Sequence, residues 1–380
     1  MSKSKKDELS IVYNGTKIIY GLGGLHACIR PGIYESTSDK IIKDVDVAAY
    51  YPSIADKYEL FPQHLTKAYV DVLRDNMAER NKYPKGTSIN LGLKLANNGT
   101  YGASKDKYSP IYDSSYTFSV TVNGQLMLLK LIENLYKLLK DMIIIQVNTD
   151  GITCIINRTD ELIFNSICKE WEDWSKMILE FAVYNKMWVR DVNNYIALSD
   201  KGKIKYKGAY EIDKEIHKNQ SMKIVHAAVA NKLIHNIPIQ ETIRNCTDIL
   251  QFCKRLKIAG GWTGEYYYID GFEKKIKYLS KNTRYFISEN GGTLYKRKIT
   301  DVKLAEEDKK NMLYIQGVLF EEDEDSNKKQ QFIGVDTGNT TTLFNQRFNV
   351  PMKDYRIKYS YYIGEANKLV NNIYDGQLIM

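Results

Sequence analysis

No run of about twenty apolar residues occurs anywhere in the chain, so the length needed for a membrane-spanning helix is missing. The stretch Met1–Glu8 is a short Lys/Ser-rich run with no apolar segment behind it, so no secretory signal is visible. Cysteine is scarce: the five, at positions 28, 154, 168, 246 and 253, form no C-x-x-C pair, and an odd count fits no disulfide framework. A reducing, cytoplasmic setting without structural zinc is the expectation. Internal repeats and long low-complexity segments are also absent.

What is present is the composition of a globular protein. At 380 residues and 43.9 kDa the chain is long enough for two or three subdomains. Its 43% hydrophobic and 26% charged content excludes wholesale disorder. Lys plus Arg (54) exceed Asp plus Glu (46), giving a net charge of +8 that suits a polyanionic partner. Tyr is abundant, 29 against 11 Phe and 4 Trp, which fits a wet polar cleft better than a dry one because the phenol both packs and hydrogen-bonds.

Between residues 40 and 210 the pattern predicts strands and helices in alternation. Ile41–Val47 reads as a strand that ends at Tyr51-Pro52, where proline denies further ladder bonds. Leu65, Tyr69, Val72 and Leu73 have helical spacing over 65–80, and Tyr83-Pro84-Lys85-Gly86 breaks that helix. A second helix starts at Thr87 or Ser88 and runs to about Gly102, making an antiparallel helical hairpin. Leu128, Ile132, Leu135 and Leu139 mark a longer helix. Met142–Val147 and Ile152–Ile156 are then strands joined through Asn148-Thr149-Asp150-Gly151. A further helix is capped by Thr159, with Ile163, Ile167, Trp171, Trp174, Ile178 and Phe181 as its core face. Short strands follow near Tyr195–Leu198 and Lys203–Lys207. The succession is that of an α+β fold, an antiparallel sheet backed by helices on one face. Beyond residue 215 the pattern is less regular, and Glu321-Glu322-Asp323-Glu324-Asp325 reads as a solvated loop.

Three clusters carry chemistry: Asp46-Val47-Ala48-Ala49-Tyr50-Tyr51-Pro52-Ser53-Ile54, Lys94-Leu95-Ala96-Asn97-Asn98-Gly99-Thr100-Tyr101-Gly102, and Asn148-Thr149-Asp150-Gly151. Asp46 closes a buried strand and Asp150 sits at a hairpin tip. If those ends are adjacent, two carboxylates meet where neither ionises cheaply without a cation. Two hard oxygen ligands beside a wet cleft suit Mg2+, which keeps several waters and binds substrate phosphates alongside one or two carboxylates. Lys94, Asn98 and Tyr101, at i, i+4 and i+7, place a cation, an amide and an aromatic hydroxyl on one helical face. Each motif alone is usually a turn former or a solvated helix; their occurrence together and in order is far harder to produce by chance.

These residues resemble motifs A, B and C of family B DNA polymerases, D-x-x-S-x-Y-P-S, K-x3-N-S-x-Y-G and Y-x-D-T-D-S, in the form found in phage-encoded members. Tyr20-Gly21-Leu22-Gly23-Gly24-Leu25-His26 resembles the approach to motif A in such enzymes. The resemblance implies a ferredoxin-like palm at 1–60 and 104–215, helical-hairpin fingers at 61–103 and a C-terminal thumb at 216–380. Asp46 and Asp150, helped by the Val47 carbonyl, would hold two Mg2+ ions, with Mn2+ as a substitute. Tyr51 would be the steric gate against a ribose 2′-hydroxyl. Lys94 would bind the triphosphate of the incoming deoxynucleotide, Asn98 and Tyr101 would shape the nascent base-pair pocket, and Arg80 would be the basic partner of Lys94, with Lys82, Lys85 and Arg74 as alternatives. Tyr195, Lys205, Lys207 and Gly208 would contact primer–template DNA, Lys207 through a phosphate. For a phage-encoded enzyme the setting would be the host-cell cytoplasm.

The chain departs from the pattern in four places. Asn148 replaces the first motif C aspartate, removing one negative charge and pointing to weaker metal affinity; Ala49 and Gly99 replace serines; Asn193 stands where the family's K-x-Y motif has lysine. Ahead of Asp46 lie only 45 residues, so proofreading is expected to be absent, lost by truncation or supplied in trans by a separate exonuclease subunit. The 48-residue separations Asp46–Lys94 and Gly102–Asp150 leave no room for the insertions of protein-primed enzymes, so a nucleic-acid primer is expected. In the C-terminal part, Lys281–Phe286, Tyr295–Lys298 and Tyr355–Tyr359 interleave cations and rings as a DNA-contacting surface would. Gln377-Leu378-Ile379-Met380 reads first as a frayed apolar end, with a loose resemblance to a sliding-clamp-binding tail as the lesser alternative. Two other readings compete with an active DNA polymerase: a polymerase-derived DNA-binding protein that has lost catalysis, and an RNA-templated or RNA-priming enzyme on a similar palm.

Overall fold

The computed structural model describes residues 9–13, 15–212, 221–298, 332–344 and 350–374. Met1–Glu8, the acidic run at 321–325 and the terminal Gln377–Met380 lie outside the described residues. The chain is a mixed α+β protein that divides into two compact units, one reaching to Gly208 together with the chain end from Ile373, the other Ala209–Asn372.

The first unit is built on strands β1 (Ser10–Tyr13), β2 (Thr16–Gly21), β3 (Gly24–Cys28), β4 (Gly32–Glu35), β5 (Lys40–Val47), β6 (Ile143–Asn148), β7 (Gly151–Asn157), β8 (Leu179–Asp191), β9 (Asn194–Ser199) and β10 (Ile204–Tyr206). They form one antiparallel sheet in the order β1-β2-β3-β6-β7-β5-β8-β9-β10, with β4 on β8. Strand β5 therefore lies between β7 and β8, and it alternates two environments. Ile41, Val45 and Val47 belong to the larger core beneath the helices, whereas Ile42 joins a second cluster with Tyr184, Met187 and Tyr195 on the opposite face.

After β5 the chain turns at Ala49, whose φ of 46° is left-handed, and enters α1 (Tyr50–Lys57). Tyr51-Pro52 thus opens a helix instead of ending a strand. In the first turn of a helix a backbone N–H has no intrahelical partner, so proline there costs no hydrogen bond. Helices α2 (Ala68–Asn81) and α3 (Ser88–Ala103) form the expected hairpin, and Thr87 caps α3 by accepting from the Asn90 N–H. On α2 the inward residues are Tyr69, Val70 and Leu73, while Val72 is exposed. Helix α4 (Ser114–Leu138), capped by Asp113, buries Leu128, Ile132 and Leu135 against the sheet. Helix α5 (Glu161–Ser175) packs beside it, with the Trp171 Nε1–H donating to the Met127 carbonyl at 2.8 Å.

The sequence reading of α5 is corrected at both ends. Thr159 lies in a short 3-10 turn and caps nothing. The buried face is Phe164, Ile167, Cys168 and Trp171; Ile163 and Trp174 are exposed. Lys176 adopts φ 59° and stops the helix, so Ile178 follows it and Phe181 lies in the 13-residue β8. Apolar spacing of three and four ran across a helix stop that Lys176 gives no sign of.

In the second unit, β11 (Lys254–Lys257), β12 (Trp262–Asp270), β13 (Glu273–Leu279) and β14 (Asn282–Lys298) pair in the order β11-β14-β12-β13, with β15 (Phe332–Val335) and β16 (Thr341–Leu343) also along β14. Helices α6 (Lys223–His235), α7 (Ile239–Arg244) and α8 (Tyr359–Tyr374) accompany them. Its core contains Phe252, Phe286 and Tyr362, and the Tyr362 hydroxyl donates to the Phe252 carbonyl at 3.0 Å. Several rings expected to face DNA are core residues: Tyr285, Phe286 and Tyr355 are buried, and the Tyr285 hydroxyl donates to Asp336 at 2.6 Å. Arg297 is tied to Glu265 at 3.0 Å. Tyr285 and Phe286, consecutive on β14, are thus buried on both of its faces, and Tyr355 lies in a 3-10 turn.

Candidate active site

Asp46 is the last polar residue of β5, and Asp150 is the second residue of the two-residue tip joining β6 to β7. Antiparallel register sets Asp46 opposite Gly151 on one side and Glu180 on the other. The Val47 N–H donates to the Asp150 carbonyl at 2.7 Å, tying the two acidic segments together by backbone. Gly151 is required: a Cβ there would sit 2.0 Å from Asp46 Oδ1 and 2.8 Å from the Val45 carbonyl. The carboxylate of Asp46 thus lies across the start of β7, against Gly151, the residue that follows Asp150.

Burial first, then the neighbouring Asp44 carboxylate, holds the Asp46 carboxyl up to about 7, with Asp150 adding to the effect. Burial likewise raises Asp150, against the opposing pull of Lys94, Lys205 and Lys207. Burial that disfavours the charged form of both carboxyls, joined at Asp46 by the charges of Asp44 and Asp150, is what a cation would relieve.

Tyr51 and Tyr101 meet over this strand end, ring centroids 4.2 Å apart. The Tyr51 hydroxyl donates to the Gly23 carbonyl, and that of Tyr101 pairs with Thr121 Oγ1 at 2.5 Å. The Gly-rich turn at 21–24 thereby joins the site, since Gly24 also abuts Thr149 of the hairpin tip. Lys94 and Asn98 are exposed on α3, whereas Tyr101 is buried. Neighbouring Asn97, only 2% exposed, has an amide N and O without partners among the described residues. Of the basic candidates on the hairpin, Arg74 is bound to Asp56 (2.8 Å), Lys82 to Glu79 (2.7 Å) and Lys85 to Glu180 (2.7 Å). Among the described residues, the Arg80 guanidinium reaches only the Asn90 amide oxygen, at 3.4 Å.

A comparison with models of known protein families finds no match, and a comparison with curated proteins finds none either. Among solved structures the chain is similar to the family B DNA polymerase from the hyperthermophilic archaeon Pyrobaculum calidifontis, at 14% identity and a TM-score of 0.44, over 98% of this chain and 49% of that one. The chain spans about half the length of that polymerase.

On β9 and β10, Tyr195 is buried and Lys207 is exposed, its N–H bonded to the Tyr195 carbonyl at 2.9 Å. Gly208 has φ 60°, and a Cβ there would fall 2.2 Å from the Asn193 carbonyl, so glycine alone fits. Asn193 is exposed, with its N–H on Asp191. Lys205 points inward. Its ammonium lies 3.7 Å from Asp44 and donates to the Tyr184 hydroxyl at 3.1 Å. Burial opposes that charge, but the Asp44 carboxylate overrides it and holds Lys205 protonated above its usual range. Asp44, Thr153, Gln146 and Tyr184 form the polar floor of the site, and the sequence reading missed all four. The one available signal was the two-residue spacing of Asp44 and Asp46, which puts both on one face of β5.

Asn148 Oδ1 accepts from the Thr149 N–H at 2.9 Å and so serves the hairpin tip. No group of three or more His, Cys, Asp or Glu side chains clusters as a metal cage among the described residues. The two-carboxylate set nevertheless fits Mg2+, which takes few protein ligands and completes its shell with water and phosphate oxygens.

Proposed function

We propose that this chain is a DNA-directed DNA polymerase core that extends a primer 3′-hydroxyl with deoxynucleotides. The observation that supports the reading is the backbone adjacency of Asp46, near the end of β5, and Asp150, in the β6–β7 tip, within an ordered motif series whose other members include Tyr51 packed on Tyr101 and Lys94 within electrostatic reach of Asp150. Residues 1–60 and 104–215 are assigned to a ferredoxin-like palm, 61–103 to the fingers and 216–380 to the thumb.

The reaction is attack of the primer 3′-oxygen on the α-phosphorus of the nucleotide, forming one P–O bond while the bond to pyrophosphate breaks. Asp46 and Asp150 are the residues that would hold divalent ions, Val47 contributing its carbonyl. Such ions, when bound, supply Lewis acidity toward the attacking and leaving oxygens. The protein's own share is positioning and charge neutralisation. Lys94, exposed and within electrostatic reach of Asp150, offsets triphosphate charge, with Arg80 as second cation. Tyr51, held by the Gly23 carbonyl and packed on Tyr101, is a rigid wall against a 2′-hydroxyl. Asn98 and Tyr101 border the nascent base pair. Lys207, exposed beside Gly208, offers a phosphate contact on the primer–template.

The test is primer extension by the native chain and by Asp150→Ala, with DNA binding followed by fluorescence anisotropy. Extension by the native chain and its loss in the variant, with DNA affinity retained, is the expected result. Equal extension by both removes the assignment. No extension by either, with tight DNA binding, favours a polymerase-derived binding protein that has lost catalysis.

A further inference from the structure

Lys205 was expected to contact primer–template DNA, yet its charge is directed elsewhere. The ammonium faces Asp44, which is 5% exposed, and lies over the rings of Tyr184 and Tyr195, 5.7 and 5.8 Å from their centroids. Asp44 is saturated on its other sides: it accepts from Thr153 Oγ1 at 2.6 Å and from the Tyr184 hydroxyl at 2.8 Å. Thr153 in turn accepts from the Gln146 amide at 3.2 Å. The aspartate is buried and the lysine, though its side chain is 35% exposed, is held toward it; removing Lys205 would leave the Asp44 charge uncompensated in a low-dielectric place. Asp44 sits two residues before Asp46 on the same face of β5, and Lys205 acts electrostatically on both Asp46 and Asp150.

We propose that the Asp44–Lys205 pair is a self-cancelling electrostatic bracket, in which Lys205 neutralises Asp44 so that the divalent-cation affinity of the Asp46–Asp150 site stays that of its two carboxylates, with Lys205 a positioning residue and not a DNA ligand. This rests on the reading of Asp46 and Asp150 as the cation-holding pair. The two members act with opposite sign. Lys205 repels a divalent ion and Asp44 attracts it, so the intact pair leaves the site close to what its two carboxylates alone would give.

The experiment is a Mn2+ titration of DNA-free protein, with free Mn2+ measured by electron paramagnetic resonance. It compares the native chain, Lys205→Met, Asp44→Asn, the double variant and Lys205→Arg, with thermal melts as folding controls. Lys205→Met is expected to tighten Mn2+ binding and Asp44→Asn to weaken it, each by roughly three- to tenfold for one charge about two residues away. The double variant and Lys205→Arg are expected to return to within about twofold of native. DNA affinity and its salt slope should be unchanged in Lys205→Met, whereas a phosphate contact would lower that slope by about one. Shifts of the same sign in both single variants, no shift in either, or a lowered salt slope overturns the proposal. Should a single variant fail to fold, a folded double variant displaced more than about threefold still overturns it, and one at the native midpoint supports it. A native protein that binds no Mn2+ refutes the underlying site instead, which separates the two failures.

Discussion

Replacing Asp46 by asparagine should stabilise the cation-free protein while destroying the site. The carboxyl is held up to about 7 against an ordinary 3.8, chiefly by burial and by Asp44. Each pH unit of such displacement corresponds to about 1.4 kcal/mol, so full burial would cost about 4 kcal/mol once the group is ionised. Asp46 is only half-buried, and solvent screening reduces this to about 2 kcal/mol. The sign follows from proton binding. Because the folded state holds the proton more tightly than the unfolded chain, stability is greatest below about pH 4, falls as pH rises toward about 7 and is flat above it. Asp46→Asn removes that slope. In EDTA at pH 8 its melting temperature should exceed the native value by roughly 4 to 8 °C for a unit of this size. At pH 5 the difference should shrink to under half, because the native carboxyl is still protonated. Millimolar Mg2+ should raise the native protein and leave the variant unmoved, closing the gap. Scanning fluorimetry across pH 5–8.5 measures all three. A native protein as stable as the variant at pH 8 without cation, or a gap that widens toward acid, would refute the reasoning.

Two further changes probe the site from different sides. Tyr51→Ala removes the wall packed on Tyr101 and should admit ribonucleotides, read as a fall of about tenfold or more in the dNTP/rNTP preference of kcat/KM; a native chain that already accepts both equally sinks the gate assignment. Gly151→Ala forces a methyl into the space of Asp46 Oδ1 and against the Val45 carbonyl. Overpacking of this kind costs about 1–3 kcal/mol. Mn2+ affinity should fall with it, and retention of native Mn2+ binding and native stability would show that Asp46 does not lie across β7.

Much of the site's frame was legible because its elements carry local signals. The two-residue tip at Asp150 is flanked by strands rich in β-branched residues, and Thr87 is a capping residue with the Asn90 N–H three positions on. Where the reading failed, tertiary packing decided between locally equivalent options. Tyr51-Pro52 suits a strand end and a helix start equally; the left-handed Ala49, which no local preference favours, chose the second. The face of α5 was misread because Phe164 and Cys168 were passed over for a longer stripe that crossed the stop at Lys176. Thr153 and Tyr184 were invisible for another reason, and Asp44 showed only its spacing from Asp46: their mutual partners lie more than a hundred residues apart in sequence, and only the order β7-β5-β8 brings them together. Lys205 was noticed, but a lysine beside an aromatic reads as solvent-facing unless the buried aspartate across the sheet is known.

The most direct measurement is single-turnover primer extension at saturating Mg2+ by the native chain, Asp46→Asn, Asp150→Asn and the double variant. If the two carboxylates hold ions jointly, each single variant loses about a thousandfold or more and the double variant is scarcely worse than either, because parts of one device fail together. Losses that multiply, or single variants that extend at the native rate, would contradict the central claim.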